Sequence, residues 1–127
     1  MKNKIKAISF QEQFIPLIKQ GKKTVTRRVK TNLKRGDICY FKAGRTGKKE
    51  GYIKIKSVKH EKLFDIYKSY DVYEPNREGF YKRTYIYQLN DFRILWNKLN
   101  KDKKNKYAQD PFVYRICFKY LGDELNE

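Results

Sequence analysis

The first sixty residues carry 18 lysines and arginines against three acids, Glu12, Asp37 and Glu50, a net of +15. Residues 61 to 127 carry 13 against 11. By composition the chain is a small basic domain. Like charges at this density also repel one another in the compact state, and a polyanion relieves that repulsion. RNA or DNA is the economical partner. The alternative is a lysine-rich, solubilising surface with no partner.

The length of 127 residues suits a single domain over 1–127, with a core of about 5–121 and a polar tail of 122–127. The apolar share is 39%, and 20 aromatic residues make up part of the aliphatic shortfall by burying large areas each. No apolar run is long enough to span a membrane, and Lys2, Lys4 and Lys6 lead into no signal-peptide core. Cys39 and Cys117 each sit in an apolar strand-like run, so both read as buried thiols in a reducing cytoplasm. Neither has metal-ligand spacing. No metal site and no cofactor is expected, and there is no phosphate loop or dinucleotide fingerprint. With one histidine, His60, to which no role is assigned, a serine–histidine–aspartate triad has no other base to use.

The pattern of elements mixes strands and helices without alternating as βαβ units do. Residues 4–10 read as a strand. Ser9 and Glu12 have capping-box spacing for a helix that carries Phe14, Ile15 and Ile18 and starts late or irregularly because of Pro16. Gly21 is its C-cap. Thr24 to Val29 is extended, and a turn at 33–37 leads into the strand Ile38 to Phe41. Tyr52 to Lys59 alternates, with Ile53 and Ile55 on one face and Lys54 and Lys56 on the other. Residues 63–70 make a short helix, and 71–81 a loop or single turn. Ile86, Leu89, Phe92, Trp96 and Leu99 recur as a helical face of about four turns. Residues 101–106 are a basic loop. Phe112, Tyr114, Ile116, Phe118 and Tyr120 share one face of a last strand, with Arg115 and Lys119 on the other. These elements suit an α+β fold with a curved sheet or small barrel and helices packed against it.

Chemistry concentrates at Gly21-Lys22-Lys23-Thr24-Val25-Thr26-Arg27-Arg28. Four cations and two hydroxyls in seven residues can hold an anion or set an amine beside a hydroxyl. Arg28 is the favoured anchor, since a planar five-donor fork suits a phosphate or a base edge. The loop 44–51 adds Lys48 and Lys49, and the next strand adds Lys54. Tyrosines between 67 and 87 offer stacking surfaces for bases.

The spacing Gly21-x-Lys23-x-x-x-x-Arg28 resembles the signature of the ASCH domain, a branch of the PUA-like superfamily. Lys34-Arg35-Gly36-Asp37, Ser57-Val58-Lys59, Glu78-Gly79-Phe80, the Phe92/Trp96 pair and the closing strand from Pro111 follow in the family's order. The resemblance covers roughly residues 5–121 and implies an α+β fold, a PUA-like β-barrel with flanking helices. It implies a link to RNA or to a modified nucleoside or nucleotide, with DNA also open. Some small relatives resemble amidohydrolases of 4-acetylcytidine, and that resemblance places a catalytic set at Lys23, Thr26 and Glu78. Glu74 and Glu61 compete with Glu78 for the carboxylate. The binding set is then Gly21, Lys22, Thr24, Arg27, Arg28, Lys48, Lys49 and Lys54. Relative to those hydrolases the chain is more basic and adds residues 71–83 and 101–109.

Three readings follow: an RNA or nucleoside binder, an amidohydrolase, and a ribonuclease that uses Lys23 and Arg28. A threonine nucleophile needs a base beside it, and a desolvated lysine can serve. Lys23 and Thr26 are three apart, however, and on a regular strand they point to opposite faces. They meet only if the backbone turns between them. If the segment is straight, Thr24 and Thr26 share a face as binding hydroxyls. An enclosed pocket holding Lys23, Thr26 and a carboxylate favours hydrolysis. An open groove running into Lys48, Lys49 and Lys54 favours polymer binding.

Overall fold

The computed structural model describes residues 5–68, 74–80 and 85–125. Five strands, β1 (Lys6–Phe10), β2 (Val25–Arg28), β3 (Ile38–Ala43), β4 (Lys49–Lys62) and β5 (Phe112–Gly122), form one sheet in the order β1-β3-β4-β5-β2. β1 and β3 are parallel, and the other neighbours are antiparallel. Four helical segments accompany it: α1 (Ile15–Lys19), α2 (Asp65–Lys68), α3 (Glu74–Arg77) and α4 (Tyr85–Leu99).

The expected α+β class holds, but the described strands do not close into a barrel. β1 spends its ladder on β3, and the four-residue β2 spends its own on β5. Their remaining edges meet through a side chain. Arg28 Nη2 donates to Ser9 O across 2.7 Å, and the Arg28 guanidinium carbon lies 5.2 Å from the centre of the Phe10 ring. The sheet is thus curled and left open, with a cation spanning the gap.

Alternation built these strands. Ile53 and Ile55 are fully buried between exposed Lys54 and Lys56, facing Phe41, Phe118 and Ile116 in the core. β4 runs far beyond the expected Tyr52 to Lys59. It does so through a shift of register between Ile55 and Ser57, where Lys56 is an extra residue against β5. Such bulges increase local twist and bend the strand. Beyond the bulge, alternation keeps Phe112 on the face of Ile116, but the ring is 56% exposed because the strand has outrun the body that covers that face.

The helical predictions divide. The 3-10 turn Glu12–Phe14 precedes α1, and Pro16 occupies its first turn, as its missing N–H permits. The capping box is not formed. Ser9 belongs to β1, and Gln11 precedes the turn without a side-chain cap. The Leu89, Phe92 and Trp96 face of α4 is buried, while Leu99 is half exposed. The stretch expected as a short helix at 63–70 holds α2, and α3 is the expected single turn in 71–81. The basic segment 101–106 contains the 3-10 turn Lys103–Asn105, followed by another at Tyr107–Gln109. The side chains of Ile86 and of the tyrosines between 67 and 87 lie outside the described residues. Cys39 is buried, and burial pushes its thiol up to about 11; Cys117 is half-buried, and both are free. No described helix is long and apolar enough to cross a membrane.

The turn Glu78-Gly79-Phe80 joins α3 to this core. Gly79 has φ +103, and a Cβ there would sit 2.7 Å from Phe14 Cδ1 and 3.4 Å from Lys23 Cδ. Strain and overlap act together at one atom. Gly79→Ala should therefore lower stability by about 1–3 kcal/mol, seen as an earlier urea unfolding midpoint with an unchanged slope.

Candidate functional site

The site begins where α1 stops. Gly21 takes φ +74, and Leu17 O accepts both Lys22 N (2.8 Å) and Lys23 N (3.1 Å). This turn delivers Lys23 into the interior before β2 has begun. Thr24 then ties three elements together: its N–H donates to Arg77 O at the end of α3, and its carbonyl accepts Phe118 N from β5. Strand alternation governs only Val25 onward. Lys23 lies outside the strand, after the turn at Gly21, and it shares a cleft with Thr26 despite their spacing.

Lys23 is 3% exposed. Its Nζ donates to Glu78 O (2.5 Å) and Val25 O (2.8 Å) and lies 3.4 Å from Glu78 Oε1. It also sits 4.5 Å from the centre of the Phe14 ring. Burial lowers its pKa to about 8, with Arg28 and Arg27 adding to the fall and Glu78 opposing it. The amine is mostly charged at neutral pH and neutral in the mildly alkaline range. Thr26 is buried, and its Oγ1 accepts from Arg28 Nε at 3.1 Å. An arginine only donates, so the hydroxyl proton of Thr26 remains available to another acceptor. Burial draws the Arg28 pKa down, and Glu78 opposes the fall.

Behind this set lies a buried ion network centred on Arg27. Its Nη1 donates to Glu78 Oε2 at 2.7 Å, and its Nη2 reaches Glu61 Oε2 at 3.3 Å and bonds Glu74 Oε2. Arg115 closes on Glu74 with Nε at 2.7 Å and Nη2 at 3.0 Å. Burial alone would raise the Glu74 pKa, but the hydrogen bonds and charges of Arg115 and Arg27 hold it at about 2. Desolvation also works against Arg27, yet Glu78 and Glu74 push its pKa above the usual value. The three carboxylates therefore have different places. Glu78 borders the cleft and bridges Lys23 to Arg27. Glu61 and Glu74 are paired within the network.

The cleft has a volume of about 440 Å³. That lies within the range of small-ligand pockets, about 300–1,000 Å³. Lys23, Thr26, Arg28 and Glu78 supply its polar groups, and Phe10, Phe14, Phe80, Phe92 and Trp96 its walls. Arg27 also borders it. Gly21, Lys22 and Thr24 do not; they shape the approach of Lys23. Lys48, Lys49 and Lys54 are exposed and do not line it either. Lys49 donates to the Tyr52 hydroxyl at 3.0 Å, and Lys54 pairs opposite Ile38, at the far end of β3 from the cleft. Sequence reasoning passed over Arg45, which joins Gly44 at the rim. Its signal was its place in a basic glycine loop. The aromatic walls had none, since a helical face at Phe92 and Trp96 reads as core.

No protein-family model matches this sequence, and no curated protein matches it. Solved structures do. An Enterococcus faecalis V583 protein of the family described as DUF984 superposes with a TM-score of 0.71 at 11% identity, over 100% of this chain and 87% of its own. The ASCH domain from Lactobacillus crispatus JV V101 gives 0.69 at 15% identity, over 93% and 80%. The ASCH protein of Zymomonas mobilis gives 0.57 at 16% identity, over 94% and 72%. The fold is that of the ASCH domain. Its motif positions Gly21, Lys23 and Arg28 fall at the helix cap, in the cleft and across the sheet's opening.

The lowered pKa of Glu74 makes this region pH-dependent on the acid side. Its folded pKa lies below the ordinary 4.5, so its contribution to stability is complete above that value and is lost as pH falls toward about 2. The urea midpoint should fall between pH about 4.5 and about 2, more gently in Glu74→Gln than in the parent chain. Equal slopes for the two proteins would remove Glu74 as the cause.

Proposed function

We propose that the cleft holds one modified pyrimidine nucleoside, either free or as one residue of an RNA strand. The supporting observation is the convergence of Lys23, Thr26, Arg28 and Glu78 in one aromatic-walled cleft of nucleoside size. Aromatic walls accept the faces of a heterocycle, and the donor and acceptor groups meet its edge. Arg28 is the chief recognition group, because its Nη1 has no hydrogen-bond partner among the described residues while Nε and Nη2 are fixed by Thr26 and Ser9. Two fixed nitrogens leave the third aimed with little entropy left to lose. The likeness to ASCH domains gives this reading its nucleic-acid direction. DNA is the competing polymer, and the missing 2′-hydroxyl would distinguish it.

Trp96 is the single tryptophan and borders the cleft, so its fluorescence reports occupancy. Titration with 4-acetylcytidine and cytidine should change that emission saturably. Arg28→Ala should weaken binding about tenfold or more, the effect of losing a charge-assisted contact of about 1.5–3 kcal/mol. Unchanged fluorescence at millimolar nucleoside would end this reading.

A second reading, amide hydrolysis, is favoured by one observation: a buried lysine with a lowered pKa sharing a cleft with a threonine whose proton is available. In 4-acetylcytidine, Thr26 Oγ1 attacks the acetyl carbonyl and gives its proton to neutral Lys23. The resulting ammonium protonates the departing exocyclic nitrogen, and cytidine leaves an acetyl ester on Thr26. Water, deprotonated by Lys23, hydrolyses the ester to acetate and restores the hydroxyl. Glu78 holds the lysine in place through its carbonyl and carboxylate. Release of cytidine should rise with pH and level off above about 8, as the amine loses its proton. It should vanish in Lys23→Ala and Thr26→Ala. A flat pH profile, or turnover surviving in Thr26→Ala, would exclude this mechanism while leaving the binding site intact.

A further inference from the structure

The face of the sheet that supplies Thr26 and Arg28 does not end at the cleft. Pairing sets its residues in rows across β2, β5 and β4. Thr26, Ile116 and Val58 form one row, Arg28, Tyr114 and His60 the next, and Phe112 with Lys62 the last. Residues two apart along a strand share a face, so successive rows lie about 7 Å apart on one surface. Exposure grows along it. Thr26 and Ile116 are buried, Arg28 and Tyr114 half-buried, His60 exposed, and Phe112 56% exposed.

The rings on the outer rows touch one another. His60 stacks on Tyr114 with centroids 4.6 Å apart and planes 22° apart. It leans on Phe112 at 5.2 Å. Lys62 Nζ lies 4.3 Å from the centre of the Phe112 ring. An aromatic ladder therefore runs out of the cleft into solvent, with Arg28 at its inner end and Lys62 at its outer end. Nothing in the fold requires a large ring at position 112, where its burial stabilises little.

We propose that this ladder is a stacking platform for single-stranded RNA, on which nucleotides flanking the one in the cleft lie. The exposed outer rings offer stacking surface to bases, and Lys62 at the outer end complements a backbone phosphate. The net charge of +17 extends that complementarity over the molecule. A duplex keeps its base faces stacked away from such a platform. The direction of the strand, one end at the cleft, rests on the nucleoside reading; the platform itself does not.

The test is fluorescence anisotropy of a short labelled single-stranded RNA with the full chain at low and physiological salt. Cytidine binding is followed in parallel by Trp96 emission, and thermal melting checks the fold. Phe112→Ala and His60→Ala should each weaken RNA binding about tenfold, within the range of 1–3 kcal/mol for one stacked base. Neither should change cytidine binding or melting. Phe112→Trp should retain RNA affinity, and Phe112→Leu, equally apolar but without a π face, should not. Undiminished RNA binding in both alanine variants, full affinity in Phe112→Leu, or no RNA binding by the parent chain at low salt would overturn the platform. RNA binding that depends on Phe112 without any cytidine response would uphold the platform and remove the nucleoside reading instead.

Discussion

One guanidinium organises this protein's interior. Arg27 is 5% exposed and receives carboxylates from three separate places: Glu61 at the end of β4, Glu74 in α3 and Glu78 in the turn that follows. Burying so many charges is costly, and an apolar cluster of equal volume would often be as stable. The arrangement has another consequence. Removing any one member strands its partners in a dry environment. α3 has only four residues and little apolar surface with which to fix itself. Its position against β2 is set by charge pairing and by the Thr24–Arg77 backbone bond. Glu78, held by Arg27 on one oxygen, presents the other and its carbonyl to Lys23. The cleft's buried amine is thus positioned at second hand by Arg27, four residues further along the chain.

The same network sharpens the protein's outward charge. The cluster of Lys23, Arg27, Arg28 and Arg115 with Glu61, Glu74 and Glu78 carries a net of only +1, so nearly all of the +17 lies elsewhere. Three of the 14 acids are spent in the interior. The surface is left more one-signed than the composition implies, and its field is long-ranged at low salt. The interior network and the one-signed surface are two results of one distribution of carboxylates.

Much of the fold was legible because strand and helix periods are local. Ile53 and Ile55 against Lys54 and Lys56, or Leu89, Phe92 and Trp96 along a helix, declare their buried faces without reference to distant residues. Closure of the sheet was not legible, because it depends on which edges find backbone partners and which are bridged by a side chain such as Arg28. In the site, Lys23, Thr26 and Arg28 were legible through their spacing and the resemblance it carries. Read from the sequence, Arg27 belongs with Arg28 in the binding set. Alternation separates them: consecutive strand residues face opposite sides, so one turns to the buried acids and the other to the cleft. That signal was present in the sequence. In the sequence Glu61, Glu74 and Glu78 look like rivals for one role, whereas a planar fork with several donors engages all three.

The position of Lys23 shows why a site of this kind needs an irregular segment beside a regular one. A strand delivers Thr26 and Arg28 to one face with a fixed separation, which is what a hydroxyl and a cation acting on one ligand require. It cannot deliver an amine three residues earlier to the same face. The chain solves this outside the strand, by the left-handed Gly21 and the double acceptance of Leu17 O, which swing Lys23 inward before β2 begins. Any side chain at position 21 would resist that φ, although space is open there. The glycine of the motif is therefore a backbone requirement and not a ligand contact. The lysine and arginine of the motif are tied to it through geometry, since without the turn the amine would lie on the opposite side of the strand from the hydroxyl.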